Sequence, residues 1–352
     1  MERILIVRLG AMGDVVHALP AVTALRAAFP AATIGWAIEE RWAPLLCASE
    51  TCSGRGPQMP LVDAVHSVNT KAWRCAPLSD ETWAEARKVF REMKAARYDA
   101  VIDFQGSVKS ATVAALSGAA RRIGSTRPWE RVAAILYTHR IAVHSAHVVE
   151  QALELASASA VSAAGQHLHY MPPLLPRDPV AEDWAEHRTV GDFAILHPGA
   201  GWGAKRWPAE RYGAVARALG ERGIQALVNH GPQKDEQALA LEVERNSGGA
   251  ASAIACSISE LIALTRRAKL ALGGDTGPIH LAAALEIPVV ALFGPTDPKR
   301  TGPFGTREVV LRSAASTTSH TRQDATDAGL LAISVDEVIA AAMSLLEKPH
   351  GA

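Results

Sequence analysis

Short apolar runs alternate with helical patterns twice along this chain, and a stretch of irregular, proline-bearing sequence separates the two series. A run such as Arg3 to Leu9 reads as a strand buried on both faces, and such strands belong to parallel sheets covered by the helices between them. The first series continues with a glycine-containing loop and a helix from about His17 to Phe29. A strand at Thr33 to Ile38, a helix after Arg41, a helix from Asp80 to Ala96, a strand from Tyr98 to Phe104 and a helix from Val108 to Leu116 follow. The second series has strands at Phe193 to His197, Gln225 to Asn229, Leu270 to Gly273 and Val289 to Phe293, separated by helices near Ala209 to Glu221, Lys234 to Val243, Ser259 to Arg267 and Gly277 to Leu285. Between about Ala158 and Asp192 the periodicity stops and Pro172, Pro173, Pro176 and Pro179 gather, as in a linker. The reading is α/β: a Rossmann-like domain over 1–165, a linker over 166–191, and a second Rossmann-like domain over 192–334. A helix in 335–352 is expected to brace the two domains. A chain of 352 residues is long enough to bury two such cores.

Composition removes several classes of function. Lys plus Arg and Asp plus Glu both number 36, so no whole-chain field attracts nucleic acid, and none is expected as a partner. Cys47, Cys52, Cys75 and Cys256 have neither CxxC spacing nor a secretory segment ahead of them, which fits a reducing cytoplasm. No apolar run reaches the roughly 18 residues that suggest a membrane span, so a soluble or peripheral protein is expected. His144, His147 and Glu150 fall at a helical spacing, but an exposed polar face explains them better than a metal does.

Three loops carry the chemistry, because ligands of open α/β sheets bind beyond the carboxyl ends of the strands. Arg8-Leu9-Gly10-Ala11-Met12-Gly13-Asp14 brings a carboxylate to the mouth of a helix, where Asp14 is either a base or simply a cap. His197 to Pro208 is a glycine-rich strand-to-helix turn bearing Lys205. It matches neither GxxxxGK[ST] nor GxGxxG, and it suits a phosphate held by backbone N–H groups and one lysine. Gly273-Gly274-Asp275-Thr276-Gly277-Pro278-Ile279-His280 places a helix N-terminus at a strand end, with Asp275 or Thr276 as its cap and His280 one turn on from Thr276.

These segments resemble the ADP-heptose:lipopolysaccharide heptosyltransferases, glycosyltransferase family 9. The resemblance rests on Arg8 to Asp14, Asp103-Phe104-Gln105-Gly106-Ser107-Val108-Lys109-Ser110, Lys205-Arg206-Trp207-Pro208, Gly274 to His280 and Phe293-Gly294-Pro295-Thr296-Asp297-Pro298, in order along nearly the whole chain. It implies a GT-B architecture, two Rossmann-like domains facing across a cleft. The stretch Asp-x-Gln-Gly-x-Val-Lys-Ser is most like the subgroup that adds the first heptose to Kdo. By the family pattern Asp14 is the catalytic base, and Gly13, Lys205, Asp235, Asp275, Thr276, Gly277 and His280 bind the donor. Where some members carry hydroxyls ahead of the lysine, this chain has Gly199-Ala200-Gly201.

The implied partners are ADP-heptose and Kdo-lipid A, acting on a monomer peripheral to the cytoplasmic face of the inner membrane. No Asp-x-Asp pair occurs, so transfer without metal or cofactor is expected, with inversion at the anomeric carbon. Charge and loop placement suggest that Lys71, Arg74, Gln105, Lys109, Arg127 and Arg131 bind the acceptor. Architecture alone leaves open a different GT-B transferase or epimerase using a UDP-sugar, or a nucleotide-binding module without transfer.

Overall fold

The computed structural model describes residues 2–49, 54–76, 79–165, 167–319, 321 and 323–347, so Cys52 and the last residues of the tail lie outside it. The chain divides into two compact units, 1–177 and 178–352.

In the first unit the order is β1 (Arg3–Val7), α1 (Met12–Ala28), β2 (Thr33–Glu39), β3 (Ala64–Val68), α2 (Thr70–Cys75), α3 (Asp80–Ala95), β4 (Ala100–Asp103), α4 (Val108–Leu116), β5 (Arg121–Ser125), β6 (His139–Ile141) and α5 (Val148–Ala164). Its six strands pair in parallel in the order β3-β2-β1-β4-β5-β6. Strand order reverses between β1 and β4, and the loops leaving those two strands part there to open the crevice that such sheets use for ligands. Ile4 to Val7 are fully buried, as expected of a strand covered on both faces.

The second unit repeats the plan. It contains α6 (Pro179–Arg188), β7 (Phe193–His197), α7 (Ala209–Gly220), β8 (Gln225–His230), α8 (Lys234–Asn246), β9 (Ala251–Ala255), α9 (Ile258–Thr265) and β10 (Leu270–Gly274). It ends with α10 (Gly277–Ala284), β11 (Val289–Leu292), α11 (Pro298–Thr301), β12 (Glu308–Leu311), α12 (Ala328–Ala332) and α13 (Val335–Leu346). The parallel order β12-β11-β10-β7-β8-β9 puts its switch point between β7 and β10. Both glycine-rich loops of this half therefore leave the two strands that flank one crevice.

Several elements differ from the sequence reading. Residues 179–188, expected as linker, form α6: Asp178 caps it by accepting from Val180 N–H at 3.0 Å, and Pro179 takes the first-turn position that tolerates proline. Its Glu182 pairs with Arg266, at 2.8 Å, and with Arg267, both just beyond α9. The segment after Arg41 is a 3₁₀ turn, Glu40–Leu45. His144, His147 and Glu150 do not share a helix face: His144 precedes α5, and His147 is its N-cap, accepting from Val149 N–H at 3.2 Å. Helix α13 packs on α7, β10, β11 and β12 of its own unit, with Val338, Ala342 and Leu345 in that core.

Candidate active site

At the first switch point the β1 loop and the β4 loop are built into one piece. Asp14 is the third residue of α1, not a loop residue; one of its oxygens accepts from Ala11 N–H at 3.1 Å and the other pairs with Arg8 at 2.8 Å. Arg8 also donates to the carbonyls of Asp14, at 3.1 Å, and Phe104, at 2.6 Å, so one guanidinium clamps both loops. Both readings of Asp14 are thus compatible: it closes the first turn of α1, and its side chain is still 49% exposed. Gly13, beside it, is the second residue of the same helix.

Gln105 accepts from Leu9 N–H at 2.9 Å and donates to the Ser107 hydroxyl at 3.0 Å, which commits its amide to holding the two loops together. Beneath them Asp103 is buried and accepts from Tyr137 Oη at 2.7 Å, Ser110 Oγ at 2.8 Å, Gln105 N–H at 2.8 Å and Gly106 N–H at 3.1 Å. Burial pushes its carboxyl upward, against the pull of those four donors. Gly106 has φ of 70°, and a Cβ there would lie 3.1 Å from Trp129 N, so only glycine lets the next loop seat so closely.

Lys109 reaches Glu39 at 3.1 Å and the Thr70 hydroxyl at 3.0 Å, joining the start of α4 to β2 and to the start of α2. Lys71 and Arg74 are exposed on α2, and Arg127 and Arg131 are exposed on either side of Glu130. Glu130 accepts from Val108 N–H at 2.7 Å, next to Lys109. The structure thus links Gln105, Lys109 and the Arg127–Arg131 loop through the start of α4.

At the second switch point, Lys205 and Asp275 come from loops 70 residues apart and meet at 2.5 Å. Their side chains are 14% and 8% exposed. His280 is buried and its Nε2 meets the other Asp275 oxygen at 3.0 Å. Burial opposes ionisation of Asp275, but His280 and then Lys205 outweigh it and hold the carboxyl far below its ordinary range. The Lys205 ammonium also lies 5.4 Å from the centre of the Trp202 ring.

Thr276 occupies the N-cap position of α10, but its hydroxyl donates to Gly274 O at 3.2 Å instead of capping the helix. Its N-terminus, at Gly277, keeps the positive end of the helix dipole for an anion. Asp235, in the first turn of α8, pairs with Arg206 at 2.7 Å. Arg206 also donates to Ala200 O at 3.1 Å, which fastens the lysine loop to α8.

Sequence reasoning assigned no role to Arg8, Glu39, Asp103, Glu130, Arg206 or Glu236. Glu236 accepts from Gly231 N–H at 2.8 Å and packs where a Cβ on Gly199 would sit 3.3 Å away. Of these, Arg8, Asp103 and Arg206 lie inside the quoted segments; Glu39 and Glu130 are distant in sequence from the loops they serve, and Glu236, though close to Gly231, is distant from the Gly199 turn it packs against. The turn at Lys205 is also covered from beyond: Ala204 N–H donates to Gln323 O at 3.0 Å, and a Cβ on Gly203 would fall 1.8 Å from Asp324 O.

The sequence profile of glycosyltransferase family 9 (heptosyltransferase) matches residues 86–330. The chain belongs to this family. It is 32% identical to lipopolysaccharide heptosyltransferase 1 of Escherichia coli K12, over 88% of this chain and 93% of that protein. The solved E. coli heptosyltransferase WaaC with ADP superposes with a TM-score of 0.78 at 26% identity, covering 97% of this chain and 99% of that one. WaaC with ADP-2-deoxy-2-fluoro heptose gives 0.74 at 25% identity, over 97% and 99%. The protein is therefore a glycosyltransferase of the heptosyltransferase family in lipopolysaccharide biosynthesis, and its two parallel-sheet Rossmann-like domains are of the GT-B class. No helix among the described residues is long and apolar enough to cross a membrane.

Proposed function

We propose that this family 9 enzyme transfers heptose from ADP-L-glycero-D-manno-heptose to Kdo of Kdo-lipid A, the first heptose of the inner core, with inversion and without a metal ion. The observation that carries this reading is the exposed Asp14 carboxylate, held by Arg8 and the helix start at the first switch point. In the reaction the Asp14 carboxylate accepts the proton of the Kdo hydroxyl as that oxygen bonds to the anomeric carbon. The bond from that carbon to the diphosphate oxygen breaks, and ADP leaves with the electron pair. Lys205 and the α10 N-terminus at Thr276 and Gly277 stabilise the diphosphate, and Asp235 meets the ribose once Arg206 releases it. Asp275 and His280 act through Lys205, as positioning residues. Lys71, Arg74, Lys109, Arg127 and Arg131 receive the carboxylates and phosphates of the acceptor, while Gln105 holds the loop of the base. The monomeric enzyme works peripherally at the cytoplasmic face of the inner membrane.

The test is mass-spectrometric transfer from ADP-heptose and UDP-sugars to Kdo-lipid A and to acceptors already carrying one heptose. The expected result is one heptose added to Kdo-lipid A, unchanged by excess chelator, with α-linkage product from β-linked donor or the converse. Asp14→Asn should bind ADP as the native enzyme does and lose about 100-fold or more in turnover, the scale of a lost general base. Near-native turnover in that variant makes Asp14 a helix-start residue only; activity abolished by chelator and restored by magnesium ends the metal-free scheme.

A further inference from the structure

Between β5 and β6 the chain makes a 3₁₀ segment, Arg131–Leu136, that turns Ala133 into the first unit. There Ala133, Ala111 of α4 and Tyr137 form a small core. The opposite side is apolar as well: Trp129 is 66% exposed, Val132 62% and Ile135 81%. A 3₁₀ segment has three residues per turn, so Val132 and Ile135 share one edge, and Trp129 precedes the segment across the extended Glu130. The stripe is firmly mounted. Glu130 N–H donates to Gly106 O at 2.9 Å and the Glu130 carboxylate caps α4 through Val108, while Arg122 Nε donates to Leu136 O at 2.7 Å.

We propose that Trp129, Val132 and Ile135 form a wedge that inserts into an anionic bilayer surface, so that the enzyme works on an acceptor still seated in its membrane. This rests on the acceptor assigned under the proposed function. Charge selects the occupant. Within residues 121–140 stand Arg121, Arg122, Arg127, Arg131 and Arg140 against a single acid, Glu130, in a chain whose formal net charge is zero. A second copy packed on this stripe would bring two arginine-rich edges together, which like-charge repulsion disfavours. A surface of anionic headgroups above hydrocarbon matches both parts: arginines lie at the headgroups, the indole sits at the interface, and the two branched aliphatic side chains reach below it. The wedge follows the loop at the carboxyl edge of the first sheet that seats on Gly106, and Gly106 adjoins the Gln105 that holds the Asp14 loop.

The experiment is sedimentation of the purified full chain with phosphatidylcholine vesicles, with and without phosphatidylglycerol. The native protein should bind only the anionic vesicles and release as salt rises, and Val132→Ser with Ile135→Ser should weaken binding about tenfold or more. The double variant should keep the native melting temperature and the native rate on an acyl-free Kdo acceptor, and be slow only on vesicle-embedded acceptor. If it melts early, Ile135→Ser alone probes the same stripe. Native protein that ignores anionic vesicles, or a folded variant that binds them equally well, overturns the wedge. So does light scattering that finds a lipid-free dimer split by the same substitutions. Vesicle binding is read without donor or acceptor, so failure of the transfer reaction and failure of the wedge are separate results.

Discussion

Lys205 is no solvated point charge: its ammonium is nearly buried against Asp275, which His280 holds from the other side. The pair has unequal halves. Asp275→Asn leaves an ammonium buried without its counter-charge and should destabilise the C-terminal unit by about 3 kcal/mol, whereas Lys205→Ala leaves Asp275 bonded to His280 and should cost less. In ADP binding the order reverses on the proposed mechanism, and Lys205→Ala should weaken affinity about tenfold or more by removing the charge proposed to meet the diphosphate. Calorimetric titration with ADP beside denaturant unfolding separates the two effects; unchanged ADP affinity in Lys205→Ala would reduce Lys205 to a structural ion pair. Because the folded Asp275 carboxyl lies below its unfolded value, its stabilisation is complete above the unfolded value near pH 3.9 and is lost only as pH falls through the depressed one. The sequence exposed Lys205 and Asp275 as members of two loops, but their contact requires β7 and β10 to be neighbours.

At the scale of elements, the loops after β1 and β4 gain their shape from a side chain beneath them. Asp103 ends β4 and accepts four hydrogen bonds, two from the backbone turn that presents Gln105. Asp103→Asn puts an amide donor where a donor already stands and should cost the N-terminal unit about 3 kcal/mol. It should also lower turnover, because Gln105 carries Leu9 and with it the start of α1. Thermal unfolding with kcat and KM measured together checks this: a stability loss with native kcat would show that the Asp14 loop keeps its place without Asp103. The central strands and α4 were legible because burial on both faces leaves an unbroken apolar run and a clean start signal at Ser107. Strands β3, β5, β6, β9 and β12 escaped the reading because they lie toward sheet edges, where half-exposed positions admit Arg, His, Ser and Glu. Helix α6 escaped because its first residue is one of the prolines that marked the stretch as linker.

At the scale of the whole molecule, each unit buries a neutral histidine. His66 donates to or accepts from Tyr98 Oη at 2.8 Å in the first unit, and burial lowers its pKa to about 4; His197 closes β7 in the second, and burial lowers it to about 3. Their contribution is full above the unfolded value near pH 6.5 and falls as acid protonates the unfolded chain, by about 2 kcal/mol per histidine at pH 5. Denaturant unfolding at pH 7.5 and 5 should show this loss in both units, and His66→Gln should flatten it in the first; an unchanged slope in that variant would assign the acid sensitivity to other groups. Periodicity, glycine placement and motif order by themselves determined the fold class, the family and the two sheets, because these are local or repeat along the chain. Which side chains meet was decided only by the tertiary structure. The contacts of Arg8 with Phe104 and Lys205 with Asp275 join the ends of neighbouring strands far apart in sequence, that of Lys109 with Glu39 reaches past β1 between β4 and β2, and the exposed edge of the 129–135 stripe depends on which side Ala133 buries.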